Sequence, residues 1–309
     1  MSADKTAILA PSRRLLYYRH RLPVRIMHWI NVLCLSILFL SGLGIFNAHP
    51  LLYWGHSSYS TRPAVLEISA RTGAAPADHA GLAAATDDAD DAAPDEDASE
   101  PRGILRIGGR EFDTTGVLGV STNADGTLTQ QAFPSWLTVP GRYSLAESRL
   151  WHFFFAWLFV FNGLAYICYL LASGHLRRDL LPDAAEVRGI GPSIVDHLKF
   201  RHPQGEAARR YNVLQKLAYL TVIFVLLPLI VLMGMAMSPM LDTVVNGWVD
   251  WFGGRQSART IHFIVAWLLV AFVLIHVFEV IVSGLWNHMR SMITGYYRID
   301  AGNGKGEQP

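Results

Sequence analysis

Four stretches of this chain, residues 26–46, 151–172, 213–237 and 261–283, are each about as long as a bilayer is thick and nearly free of charge. An apolar helix of about 20 residues crosses the roughly 30 Å hydrocarbon layer. No water is available there to satisfy peptide groups, so each stretch has to close its hydrogen bonds within itself, as a helix. Composition agrees: apolar residues make up 51% of the chain, charged residues 17%, and the mean hydropathy is +0.25, with the apolar content bunched into the four runs. The first run is too long for a signal-peptide core and no small-residue cleavage site follows it, so it is expected to stay in the membrane. Pro228, inside the third run, is expected to kink its helix. The expected fold is an all-α membrane protein, a bundle of four transmembrane helices.

Lys and Arg give the orientation. Residues 1–25 carry six basic side chains and one acidic, and residues 173–216 carry eight against five. Residues 47–149 carry seven Arg, no Lys and fourteen acidic side chains, while 238–260 balance two against two. The basic segments belong on the cytoplasmic side. This yields a cytoplasmic N-terminal segment 1–25, a periplasmic loop 47–150, a cytoplasmic loop 173–212, a periplasmic loop 238–260 and a cytoplasmic tail 284–309. Both termini are expected on the cytoplasmic side of the membrane. The basic inner segments imply contact with anionic lipid rather than nucleic acid.

Three of the apolar runs are entered through the phrase Arg-x-x-His: Arg25 to His28, Arg149 to His152 and Arg259 to His262, the last followed by His276. Ionisable groups at membrane depth are costly and point to function. A histidine can ligate a haem iron there, and an arginine at the helix end can meet a haem propionate. The topology assigns the depths. His28 lies at the inner side, and His152 and His262 lie near the outer side. His276, fourteen residues beyond His262, lies about 21 Å deeper on nearly the same helix face. By level, His152 pairs with His262 and His28 with His276, so two b-type haems are expected, with one helix ligating both. Arg149 and Arg259 lie on the side that basic residues avoid and are expected to meet propionates. Arg25 is a weaker candidate for the same role, since an interfacial anchor explains it equally. Gly42, Gly44, Gly163 and Gly234 offer close approach to a macrocycle or a second helix.

These residues resemble the bacterial cytochrome b561 and nickel-iron hydrogenase b-type cytochrome superfamily, which includes the membrane subunits of formate dehydrogenase and thiosulfate reductase. The resemblance is carried by RIMHW at 25–29, HPLLYWG at 49–55, RLWHFFFAW at 149–157, RYNVLQKLAYL at 210–220, RTIHFIVAWLLVAFVLIHV at 259–277 and TGYYR at 294–298. It implies a di-haem subunit that moves electrons between the quinone pool and a partner redox protein. It also implies a quinone site at Tyr211, Asn212, Val213, Leu214, Gln215 and Lys216. The amides of Asn212 and Gln215, three residues apart on one helix face, suit a quinone carbonyl. The same two residues equally read as a helix-capping box.

The loop 47–150 is enlarged relative to compact members of that superfamily. Its middle, residues 73–100, is Ala- and Asp-rich and too poor in large apolar residues to fold alone, so disorder is expected. Residues 103–142 carry strand-like alternation at Ile104–Ile107 and Val117–Val120 and turn signals at Gly108-Gly109 and Asp125-Gly126. With Leu51–Trp54 and Val244–Phe252 they offer an aromatic surface to a periplasmic redox partner, with a molybdenum-containing oxidoreductase the expected kind. Two other readings remain. A self-sufficient superoxide:quinone oxidoreductase needs an outer face that draws an anion, which the acidic loop opposes. A haem-free scaffold or transporter leaves the paired histidines unexplained. Cys34 and Cys168 lie inside spans and have no metal-binding spacing.

Overall fold

The computed structural model describes residues 14–58, 63–72, 100–123, 125–141, 143–174, 176–198, 212–245 and 247–300. Most of the acidic stretch expected to be disordered, 73–99, lies outside them, as does Tyr211. In chain order the described elements begin with β1 (Arg14–Tyr18), α1 (Leu22–Phe46), β2 (Leu51–Leu52), β3 (Leu66–Arg71), β4 (Arg102–Ile107), β5 (Arg110–Asp113), β6 (Ser121–Thr122) and β7 (Leu128–Thr129). There follow α2 (Leu145–Ala172), α3 (Ala184–Arg188), α4 (Ile190–Leu198), α5 (Val213–Thr221), α6 (Leu227–Ala236), α7 (Pro239–Val244), α8 (Arg255–Val282), α9 (Leu285–Thr294) and β8 (Tyr296–Asp300).

Among the described residues four helical segments are long and apolar enough to cross a membrane: α1, α2, the α5–α6 segment Val213–Ala236, and α8. Three of them begin before the uncharged runs do, at Leu22, Leu145 and Arg255. Charged residues end an apolar run without ending a helix, so the runs mark the hydrocarbon layer and the helices continue into the interface. Leu150, Phe154, Trp157 and Phe161, at helical spacing along α2, are all exposed, as a lipid-facing stripe must be. In the third segment a π-helical turn, Val222–Leu226, separates α5 from α6. Pro228 has no N–H and its ring crowds the carbonyl of Phe224, and the wider turn absorbs that conflict within the helix.

The chain divides into two compact units. One comprises Asn31–Phe161 and Leu226–Leu268. The expectation of an all-α chain holds for its membrane part, but the segment between α1 and α2 adds an antiparallel sheet of order β2-β3-β4-β5. The β4–β5 hairpin turns at Gly108 and Gly109, whose φ values of 54° and 83° are those of a tight turn matching strand twist. Val117–Val120, expected as a strand, is a series of turns. Gly116 and Gly119 have positive φ, and a Cβ on Gly119 would stand 2.9 Å from the Cα of Gly103, so two glycines let this loop fold onto β4. The core under the sheet is Leu43, Phe46, Leu52, Ile68, Ala132 and Phe133, joined by Phe263 of α8. Asn47, directly after α1, clamps this layer: its amide donates to the Phe133 carbonyl at 3.0 Å and its oxygen accepts from the Phe133 N–H at 2.7 Å. A second cluster, Met233, Ala236, Val249 and Ala258, fastens the short 3-10 turn Trp248–Phe252 to α6 and α8 and leaves Trp251 exposed.

The other unit comprises Met1–Ile30, Asn162–Val225 and Leu269–Pro309. Here β1 pairs antiparallel with β8, Leu16 opposite Arg298 and Tyr18 opposite Tyr296. Lys216, buried at the start of α5, holds Glu186 of α3 at 2.8 Å to both carboxylate oxygens. That bond, and the Asp183 N–H, hold the Glu186 carboxyl below its ordinary range.

Candidate functional site

The four histidines form two pairs, one in each unit. In the first, the rings of His152 on α2 and His262 on α8 have centroids 6.3 Å apart and planes at 60°. In the second, His28 on α1 and His276 on α8 stand 6.4 Å apart at 59°. Two imidazole–metal bonds of about 2.0 Å each, with about 1.2 Å from each nitrogen to its ring centre, add to about 6.4 Å, so one metal ion fits between each pair. Among the described residues no cluster of three or more His, Cys, Asp and Glu could hold a bare ion. Each pair therefore supplies two imidazole donors, which suits a metal whose other ligands come with a macrocycle.

Local hydrogen bonds fix the tautomers of two of the rings. His262 Nδ1 lies 2.9 Å from the carbonyl of Ile230, a group that only accepts, so Nδ1 carries the proton and Nε2 keeps its lone pair. His152 Nδ1 lies 3.1 Å from Ser41 Oγ, and that hydroxyl donates its own proton to the Ile37 carbonyl at 2.6 Å. The Ser41 oxygen is therefore the acceptor, and His152 has the same tautomer. Ser41 and the Ile230 carbonyl were missed by sequence reasoning; only a serine in an otherwise apolar run hinted at the first. Two of the four glycines singled out sit against these rings. A Cβ on Gly42 would lie 3.5 Å from His152 Cε1, and one on Gly234 would lie 3.4 Å from His262 Cε1. Gly44 packs instead against Ser148 Oγ, and Gly163 has open space beside it.

In the second pair, the His276 ring stacks on Phe272 at 5.9 Å and 15°, and His28 packs edge-on against Trp29. The Nδ1 of His28 is buried with no hydrogen-bond partner among the described residues. One residue before it, the Met27 carbonyl accepts from the Asn162 amide at 3.0 Å, an anchor from α2 that sequence reasoning did not identify. Asn162, a buried amide in the middle of an apolar run, was its signal.

The three arginines occupy different settings. Arg259 is half-buried; its guanidinium lies over the Phe46 ring at 5.6 Å and donates to the His49 carbonyl. The adjacent Thr260 donates to the Tyr53 carbonyl at 2.7 Å, so the loop after α1 is tied to α8 one turn from His262. Burial and the Arg259 charge push the His49 pKa down. Arg149 is exposed, its guanidinium 5.8 Å from the Phe153 ring. Arg25 donates to the carbonyls of Met292 and Ile293, closing the C-terminal end of α9. Asn212 and Gln215 form a cap: Asn212 Oδ1 accepts from the Leu214 N–H at 3.2 Å and from Ser193 Oγ at 2.6 Å, and Gln215 Oε1 accepts from the Asn212 N–H at 3.3 Å.

The sequence model of the prokaryotic cytochrome b561 family matches residues 114–295, a range that holds His152, His262 and His276 and begins after His28. The chain is also similar to "Putative protein-methionine-sulfoxide reductase subunit YedZ1" of Azospira oryzae, with 34% identity over 137 residues. That match covers 43% of this chain and 64% of the relative, so the chain spans less than two thirds of the relative's length. No solved structure matches it. With four helices able to cross a membrane and a family match over more than half its length, the chain belongs to the prokaryotic cytochrome b561 family, whose cofactor is b-type haem.

Proposed function

We propose that this protein is a di-haem electron-transfer subunit linking the quinone pool to an oxidoreductase on the periplasmic side. The observation that carries the reading is the pair of imidazole couples at 6.3 and 6.4 Å, each spaced for one iron. His152 and His262 would hold one haem, and His28 and His276 the other. The haem iron supplies reversible one-electron exchange. The protein's part is to hold and orient the ligands. Ser41 and the Ile230 carbonyl select the tautomer, Asn162 anchors the helix turn at His28, and Gly42 and Gly234 leave room beside the rings. Arg259 is the best-placed candidate for a propionate, since two contacts already hold its guanidinium near His262.

The pairing of β1 with β8 supports placing both chain ends on one side of the membrane, and the basic residues favour the cytoplasmic side. The quinone is assigned to the start of α5. Because the side-chain oxygens of Asn212 and Gln215 are engaged in the cap, their amide N–H groups would meet a quinone carbonyl. The name of the relative describes a putative reductase subunit, which favours a partner oxidoreductase; we assign that partner to the periplasmic side and to the molybdenum-containing kind.

Purified protein should show b-type absorbance with two haems per chain. His152→Ala and His262→Ala should remove one and the same haem, and His28→Ala and His276→Ala the other; a single haem, or a crossed pattern, would overturn the assignment. Asn212→Asp keeps the capping oxygen and removes the amide donors. Slowed haem reduction by quinol with unchanged thermal stability is expected, and an unchanged rate removes Asn212 from the quinone site.

A further inference from the structure

Beyond the last membrane-spanning helix the chain turns at Gly284, runs through α9, turns again at Gly295 and returns as β8 to pair with β1. Strand periodicity places residues two apart on one face, and the register sets Leu16 opposite Arg298 and Tyr18 opposite Tyr296. On α9, Arg290 and Thr294 are four residues apart and share a face. Between these two surfaces lies an open cavity of about 490 Å³ lined by Leu16, Arg290, Thr294, Tyr296 and Arg298.

The lining is mostly apolar but carries two guanidinium groups, and neither forms an ion pair among the described residues. The Thr294 hydroxyl is already engaged: it donates to the Arg290 carbonyl and accepts from the Tyr296 N–H. Two guanidinium groups with no ion pair among the described residues are thus the charged groups available to a ligand. The surroundings suit a membrane interface. Leu16, Trp286, Ile293 and Tyr296 are all exposed, Trp286 at 85%, on a helix whose other side buries Ser291. Amphipathic helices rich in such residues lie in the plane of the interface, where Trp and Tyr anchor at headgroup level.

We propose that this cavity is a binding site for the headgroup phosphate of an anionic phospholipid. Arg290 and Arg298 clamp the phosphate, and the acyl chains run past Leu16 and Tyr296. A diester phosphate offers two unprotonated oxygens, which two guanidinium forks match better than a single lysine would. The inference requires the helices to span a membrane and uses no part of the haem assignment.

Native mass spectrometry of the full chain, purified in detergent with defined lipids, tests it. The wild-type chain should retain one phosphatidylglycerol through an activation that strips phosphatidylcholine. Arg290→Gln/Arg298→Gln should lower that retention about thirty-fold, as two lost interfacial charges predict. Arg290→Lys/Arg298→Lys should retain part of it, and the circular dichroism melting curve should be unchanged in both. Equal retention of both lipids by the wild type, or undiminished phosphatidylglycerol retention by the Gln variant, overturns the site. Displacement of the lipid by millimolar inorganic phosphate overturns the lipid and leaves a soluble anion as the ligand.

Discussion

Ser41 accepts a hydrogen bond from His152 at 3.1 Å while giving its own proton to Ile37, and so the hydroxyl helps to fix which nitrogen of His152 keeps its lone pair, the one that would bind iron on the proposed reading. Ser41→Ala would remove the side-chain acceptor of this ring and leave it the Leu38 carbonyl alone. Partners of this kind are worth about 10–100-fold in metal affinity. The variant should lose the haem of the His152–His262 pair more readily in dilution and show an altered midpoint potential for that haem alone, measured by redox titration.

The glycines beside the rings make a graded prediction. At 3.5 Å a lone Cβ on Gly42 is in ordinary contact with His152, so Gly42→Ala should keep both haems. Gly42→Val adds two methyl groups to a Cβ whose nearest neighbours are atoms of the His152 imidazole, at a cost of about 1–3 kcal/mol in overpacking. Haem content per chain should fall from two towards one, and Gly234→Val should do the same through His262.

Asn47 joins the end of α1 to the backbone of Phe133 through two buried hydrogen bonds. Asn47→Ala orphans both a donor and an acceptor and should cost about 2–4 kcal/mol. The loss should be local. Limited proteolysis should begin within residues 100–141 while the spans remain protected.

The Lys216–Glu186 pair makes stability depend on pH in a defined direction. The Glu186 pKa is lowered in the folded protein by its bond to Lys216, from an ordinary value of 4.5. A depressed carboxylate contributes stability that is present above its unfolded value and is lost as pH falls through the folded value. Glu186→Gln should therefore be less stable than the wild type by about 2–3 kcal/mol at neutral pH. The two melting curves should converge below about pH 4.5, and a constant difference across that window contradicts the pairing.

Much of this site is legible along the chain because membrane helices are rigid rulers. A rise of about 1.5 Å per residue turns spacing into expected depth, and the pairing expected on that basis, His152 with His262 and His28 with His276, is the one in which the rings meet. Arg25 shows where that reasoning stops. The phrase Arg-x-x-His is the same at all three helices, yet one guanidinium closes α9, one is held against His49 and Phe46, and one lies exposed beside Phe153. Asn212 and Gln215 read equally as a cap or a ligand site in sequence, and the structure shows the cap formed.

What the sequence by itself determined is the set of four spans, because burying unpaired peptide groups in hydrocarbon leaves an apolar run little choice but a helix. Lateral contacts were left to the tertiary structure. Which carbonyl orients His262, which hydroxyl orients His152 and which glycine each ring faces depend on how helices rotate about their own axes. The apolar surface of a membrane helix changes little in energy with that rotation, so hydropathy does not encode it, and close packing decides it.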